Sequence, residues 1–441
     1  MAYHLFFRAP GEKTPTPRGM HAVIHLDEPG ASGLPLHQRL DLLPASPRPP
    51  HETVQAFLAV ALGVWSADKL ISRRLAPDAW TRRINLHLPT AAAWETLPDR
   101  LAHLLDFLTG DRWTLNLRRR PFNLAFATPW PHAWLPDAVA LFSGGLDSLA
   151  GAIDRLESGE RLVLVSHYDF GQLASGQQGL TQALQQYYGP DWLHHLDIRV
   201  QIPEAPELTL RSRSLLYLAL GLAAAAAFRP DLPLLVPENG LISFNPPLTL
   251  NRLGSYSTRT THPYFLQELA AIWQEAGLSH PLINPYQHQS KGEMLADCRN
   301  PKLLRELVPL TSSCARPVVG RWQGEAQGSC GYCYPCLMRR AALNRLGLDQ
   351  GGHYRLDALQ DQAILSHRQK GCDLRALLLA LKTWAETPHQ VEARLWLGVP
   401  PSEVPLRYYP AKRLLTNGFQ EIAQLFQDKG PPWIRDYVDW S

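Results

Sequence analysis

Ala138–Ala152 reads AVALFSGGLDSLAGA. Four apolar residues, Ala138 to Leu141, lead through Phe142 into Ser143-Gly144-Gly145-Leu146-Asp147-Ser148. Leu149, Ile153 and Leu156 then recur at helical spacing. The pattern is strand, tight turn, helix. Such a turn gathers free backbone N–H groups and the positive end of a helix around one small space, which suits an anion. Gly144 and Gly145 permit positive φ and let the backbone approach a phosphate closely. Ser143 and Ser148 add hydroxyl donors. Asp147 belongs beside a phosphate only if it orients the loop or meets Mg2+. No Gly-Lys-Ser/Thr follows, so the loop is not of the Walker A type. A plain glycine-rich turn is the competing reading.

Strands and helices alternate from residue 138 to about residue 310. Leu162–Val165, Leu196–Ile202, Leu232–Val236 and Pro281–Asn284 read as strands. Helices are predicted around Gly179–Tyr187, over Leu210–Phe228 and over His262–Glu275. This βαβ rhythm predicts an α/β fold with a doubly wound parallel sheet and a ligand at the switch point, beyond the C-terminal strand ends. Three predicted strand ends carry polar residues: the SGGLDS loop, His167-Tyr168-Asp169 and Glu238-Asn239. Arg211-Ser212-Arg213-Ser214 opens the long apolar helix. Arginines there oppose the helix dipole, so they call for an anionic ligand or for a nearby acid such as Glu207. Ser290 reads as an N-cap, and Lys291 just after it either reaches a phosphate or is an ordinary surface lysine. His167 and His262 read as structural, with no catalytic role. Cys298 and Cys372 read as inert, partly buried thiols.

The second sharp signal is Cys314 followed by Cys330-Gly-Tyr-Cys333-Tyr-Pro-Cys336. Three cysteines at i, i+3 and i+6 can give three thiolates to one tetrahedral ion, with Cys314 closing the site. Four sulfur ligands make structural Zn2+ the expected occupant and an iron–sulfur cluster its rival.

Outside these motifs the chain says less. Hydrophobic residues make up 45% and charged residues 19% of its 441 positions, as in soluble globular proteins. A net charge of +3 gives no general attraction to nucleic acid. The N-terminal sequence lacks a basic segment followed by a long apolar run, and Ala219–Phe228 is too short to span a bilayer, so a cytoplasmic protein is expected. Residues 1–137 read as an α+β domain, with a helix over Val54–Leu70, strands at Ile84–Leu88 and Trp113–Leu117, and Phe122–Phe126 as a further strand. Arg118-Arg119-Arg120 reads as a solvated strand end rather than a nucleic-acid contact. Residues 348–441 read as a helical extension, with Trp384, Trp396, Trp433 and Trp440 as packing anchors.

SGGLDS resembles the pyrophosphate (PP) loop of ATP pyrophosphatases. Together with the cysteine cluster, the chain resembles the QueC family of 7-cyano-7-deazaguanine synthases. The matching residues are LFSGGLDS at 141–148, Asp169-Phe170-Gly171-Gln172, RSRS at 211–214, Ser290-Lys291-Gly292-Glu293, Ser313-Cys314 and CGYCYPCLMRRAA at 330–342. The resemblance covers residues 138–347. The flanking segments make the chain look most like the extended QueC-like proteins of bacterial antiphage systems, the QatC type and its relatives.

The resemblance implies an enzyme that uses ATP and Mg2+, with Zn2+ on Cys314, Cys330, Cys333 and Cys336. It would adenylate 7-carboxy-7-deazaguanine and pass the acyl group to an amine. That amine is ammonia in QueC, and on a partner protein in the defence type. Neither a membrane nor a nucleic acid is the expected direct partner, although a tRNA-modifying PP-loop enzyme is an alternative. Leu141, Phe142, Ser143, Gly144, Gly145, Leu146, Asp147, Ser148 and His167 are then expected around the nucleotide. Asp147, Ser148, Lys291, Arg211 and Arg213 are expected to serve catalysis, and Arg213, Ser214, Glu238 and Asn239 to contact the substrate.

Overall fold

The computed structural model describes residues 2–26, 36–44, 49–120, 122–127, 130, 134–168, 171–207, 209–252, 258–315, 328–397 and 399–438. Asp169, Phe170, the Gln172 side chain and Trp440, all singled out above, lie outside the described residues.

The first block contains β1 (Ala2–Arg8), β2 (Ala22–His25), β3 (His37–Gln38), α1 (Glu52–Leu70), β4 (Arg83–Thr90), α2 (Pro98–Thr109) and β5 (Arg112–Arg119). Strands β2-β1-β4-β5 form a four-stranded sheet in that order, and every pair is parallel. Alternate residues Ile84, Leu86 and Leu88 are buried, as period-2 patterning requires. Residues 122–126 form no strand. Every residue of α1 from Thr53 to Lys69 is buried. The helix lies against β4, and a Cβ on its Gly63 would come within 2.7 Å of Leu88 Cδ2, so glycine sets that close approach.

The central region contains β6 (Ala138–Leu141), α3 (Leu146–Glu157), β7 (Leu162–Tyr168), α4 (Gly171–Tyr188), β8 (Leu193–Gln201), α5 (Arg213–Phe228), β9 (Leu234–Leu235), α6 (Gly240–Phe244), α7 (Pro263–Glu275), β10 (Leu282–Ile283), α8 (Lys291–Ala296) and α9 (Pro301–Leu307). Its sheet runs β10-β9-β6-β7-β8-β3. The strands of this region pair in parallel, and β3, donated by the first block, is antiparallel to β8. The chain moves from β6 outward to β7 and β8, then returns to place β9 on the other side of β6. The switch point therefore lies between β6 and β9, at the mouth of the SGGLDS turn.

The first block was read as a domain of its own. The structure instead gives it a wholly parallel sheet and a hydrophobic core continuous with that of the central region. The cause lies in α1 and α5, two helices too apolar to leave a face to water, which bury each other. The C-terminal part contains α10 (Tyr334–Arg345), α11 (Cys372–Glu386), α12 (Pro388–Ala393), α13 (Val404–Lys429) and α14 (Pro432–Arg435). Its core joins the cysteine cluster to α11 and α13, and Leu241 and Phe244 of α6 enter it. Trp384, Trp396 and Trp433 pack against this core. Among the described residues, no helix is long and apolar enough to cross a membrane.

Candidate functional site

A cleft of about 440 Å³ opens at the switch point. Leu141, Ser143, Gly145, Leu146, Asp147 and Ser148 form one wall, and Val236, Pro237 and Glu238 at the end of β9 form another. Lys291, Arg213, Ser214, Tyr217, Thr258, Thr260, Thr261 and Ser312–Ala315 complete it.

The turn is built for its position. Gly144 has φ +79°, a left-handed value that an L side chain resists. Gly145 is the N-cap of α3 and has no side chain to cap it, and among the described residues none caps the helix, so its first N–H groups can meet a ligand. Ser143 and Ser148 place their hydroxyl oxygens 3.3 Å apart at the mouth. Ser312 closes over the turn by donating its N–H to the Gly144 carbonyl at 3.0 Å. Phe142 and Gly144 do not line the cleft. Phe142 is buried in the core, and Gly144 turns toward Gln177.

Asp147 is the best-anchored group of the site. Its Oδ1 is ion-paired with Lys291 Nζ. Its Oδ2 accepts from Asn239 Nδ2 at 2.7 Å and from the Asn239 backbone N–H at 3.1 Å. Burial pushes the Asp147 carboxyl up, but the Lys291 ammonium and the hydrogen bonds from Glu238 and Asn239 outweigh it, so the pKa ends well below the usual range. Glu238 goes the other way. Burial and then the neighbouring Asp147 charge raise its pKa far above the ordinary value, which favours its protonated form beside the Asp147 anion.

Asn239 was expected to read the substrate. Its Nδ2 is instead given to Asp147 and Glu238, its Oδ1 caps α6 by accepting from Ile242 N–H at 3.1 Å, and it is buried. It orders the carboxyl pair and has no free edge for a ligand.

The RSRS segment divides. Arg213 and Ser214 face the cleft. Arg213 donates to the His167 carbonyl at 3.0 Å, while its Nε and the Ser214 hydroxyl are buried without a partner among the described residues, as is the Thr261 hydroxyl. Arg211 and Ser212 turn away, into a buried ionic cluster of the first block. There Asp68 accepts from Ser212 Oγ at 2.7 Å and from Arg82, and Asp111 accepts from Arg82 at 2.7 Å and from Arg73 at 2.8 Å. Arg211 stacks over Trp80 at 4.9 Å, in the field of Asp68 and Asp111. Arg211 also donates to the Thr109 carbonyl at 3.4 Å, so its side chain belongs to this cluster and not to the cleft. Glu207 serves a different group, the Arg73 N–H at 2.9 Å.

His167, expected near the nucleotide, is fully buried. Its Nε2 lies 3.0 Å from the Val200 carbonyl, and its ring sits edge-on to Trp65 and Tyr217. Burial lowers its pKa well below the ordinary value, which favours the neutral ring.

The sulfurs of Cys314, Cys330, Cys333 and Cys336 all lie within 4.8 Å of one another. Cys314 and Cys333 sulfurs are 4.0 Å apart, and those of Cys330 and Cys336 are 3.9 Å apart. A tetrahedron with Zn–S bonds of about 2.3 Å has edges of about 3.8 Å, so the donor set fits Zn2+ in number, chemistry and size. Backbone N–H groups of Cys330 and Cys333 donate to the Cys314 and Cys330 sulfurs at 3.4 Å, which supports thiolate charge. The arginines that follow are structural. Arg339 holds Thr311 and the Val308 carbonyl, and Arg340 pairs with Asp349 and Asp357. Burial pushes the Cys298 thiol up to about 12, in keeping with an inert role.

Comparison with protein families, curated proteins and solved structures finds no match for this chain.

The threonine wall, Tyr217 and Ser312 had no signal of their own in the sequence. Ser312 was within reach of one only through its neighbour, the Ser313-Cys314 pair.

Proposed function

We propose that the protein is an ATP-dependent PP-loop ligase. It would adenylate a 7-carboxy-7-deazaguanine-type acid and couple it to an amine, in defence-type fashion on a partner protein. The observation that carries this reading is the uncapped N-terminus of α3, which opens through Ser143–Ser148 onto the switch-point cleft beside Lys291 and Arg213. The family part of the reading rests on the sequence resemblance.

The chemistry suits such a cleft. A carboxylate oxygen of the acid attacks the α-phosphorus of ATP, the Pα–O bond to the β-phosphate breaks, and pyrophosphate leaves. The amine nitrogen then attacks the acyl carbon, AMP departs with the electron pair of the C–O bond, and the surplus amine proton goes to solvent. The loop N–H groups and the Ser143 and Ser148 hydroxyls bind the pyrophosphate. Lys291 and Arg213 offset its charge. Asp147, and Glu238 once it has given up its proton, would supply oxygen ligands to Mg2+ arriving with the triphosphate. Neither step needs a side-chain nucleophile. The unpartnered Ser214 and Thr261 hydroxyls are free to orient the acid. Zn2+ on the four cysteines would be structural, since four protein ligands leave no open position.

The test is mass spectrometry of the protein with Mg-ATP, 7-carboxy-7-deazaguanine and ammonium, with and without proteins encoded beside it. Acid-dependent AMP and a partner protein gaining one deazaguanine acyl mass are expected. A free nitrile without protein adduct assigns ammonia as the amine. No AMP from any mixture overturns the substrate.

A further inference from the structure

The two residues that clamp Asp147 open two short helices: Asn239 caps α6, and Lys291 begins α8. Both helices rest on α13, which lies outside the stretch that resembles a known family. On the α6 side, a Cβ on Gly240 would come within 2.6 Å of Leu414 Cδ1, and one on Gly418 would run into Leu241. On the α8 side the contact is polar. Glu421 Oε1 accepts from Ser290 Oγ at 2.5 Å and from Arg345 at 3.0 Å, and its Oε2 accepts from the Gly292 N–H at 3.1 Å. A Cβ on Gly292 would collide with this carboxylate. Ser290 also caps α8 internally, in a capping box with Glu293. Glu421 is therefore not needed merely to form the helix. It fixes the residues on either side of Lys291 to a helix about 130 positions away (|i−j| 131 and 129).

We propose that Glu421 is a positioning residue for Lys291, so that the C-terminal helix α13 sets the charge arrangement at the nucleotide loop. A lysine side chain has four rotatable carbons, and its ammonium stays on Asp147 only if its backbone is held. Glu421 holds that backbone from both neighbours. Its link to the loop function rests on the nucleotide reading above; its link to Lys291 does not.

The test is acetylation of the full-length protein without nucleotide, with peptide mass spectrometry following Lys291. The exposed Lys302 serves as internal control. In the wild type, Lys291 is buried and ion-paired and labels slowly. Glu421→Ala is expected to label Lys291 roughly tenfold faster, as the loss of charged hydrogen bonds implies, with Lys302 unchanged. Glu421→Gln retains the shape and one acceptor and is expected to fall between. A folded Glu421→Ala that labels Lys291 at the wild-type rate overturns the proposal. If that variant does not fold, a folded Glu421→Gln at the wild-type rate does the same. A second arm adds Mg-ATP to the wild type: failure to protect Lys291 counts against the nucleotide reading and leaves the Glu421 result standing.

Discussion

The Asp147 carboxyl is held below its ordinary pKa and the neighbouring Glu238 carboxyl is pushed above its own. The asymmetry comes from their neighbours. Lys291 and both Asn239 donors face Asp147, whereas Glu238 is given one amide proton and the field of its partner. A carboxyl whose folded pKa is raised binds a proton more tightly folded than unfolded. Its contribution is full below the unfolded value of about 4.3 and is lost as pH rises toward the folded one. Glu238→Gln keeps the protonated shape, donating to Asp147 and accepting from Asn239, and carries no proton to lose. The variant is expected to match the wild type near pH 4 and to exceed it in melting temperature by a margin that widens toward pH 8. A margin independent of pH would show that Glu238 is ionised in the folded protein. Asp147 has the opposite sign: its stabilisation is present above about pH 4 and is lost as pH falls through its lowered pKa. Lys291→Met leaves that anion buried without its cation. It is expected to cost about 3–5 kcal/mol, read from the urea midpoint.

At the scale of elements, the cysteine knuckle does more than close itself. Ser312 donates to the Gly144 carbonyl, and the next residues, Ser313 to Ala315, line the cleft as they run into the cluster. On the other side, Tyr334 N–H donates to Asp373 at 2.8 Å, and Asp373 also accepts from Arg252 at 2.6 Å, which ties the knuckle to α11. Cys336→Ser is expected to abolish the one Zn2+ per chain that elemental analysis should find. It is also expected to speed hydrogen exchange at both Ser312–Ala315 and the head of α11. Loss of metal without faster exchange at either place would make the knuckle an isolated ornament. The cluster was legible because three of its ligands sit close in sequence and four thiols brought together point to a metal centre. The SGGLDS turn was legible for the same reason, since strand, turn and helix are consecutive. The partners of Arg211 were not. Asp68 and Asp111 lie a hundred residues or more upstream in a block read as separate, and nothing local marks them as facing α5. Asn239 was misread in a related way. Its pairing with Glu238 suggested a ligand edge, but the residues that occupy its amide, Asp147 and the α6 backbone, come from tertiary placement.

At the scale of the whole molecule, the decisive contact is between α1 and α5, one helix from each side of the expected boundary at residue 137. Phe57, Leu58, Leu62 and Trp65 of α1 are fully buried. On α5, Leu216, Leu220 and Ala223 are buried as well, and each large apolar side chain uncovered by loss of α1 would forfeit up to about 1.5–3 kcal/mol. Asp68 at the end of α1 also accepts the Ser212 N–H at the start of α5, so removing the first block strips α5 of the carboxylate at its N-terminus. The residue that follows, Arg213, faces the cleft. A chain beginning at residue 137 is therefore expected to lose the site along with its stability. It should bind a hydrophobic dye, lack near-ultraviolet circular dichroism and show no cooperative melting, while retaining helical far-ultraviolet signal. A shortened chain that melts cooperatively would mean that α5 finds another cover and that the central sheet is a domain in its own right. The geometry argues against this, because the β8 edge also loses β3, its antiparallel partner. An unpaired strand edge beside an uncovered apolar helix is an invitation to aggregate rather than to fold.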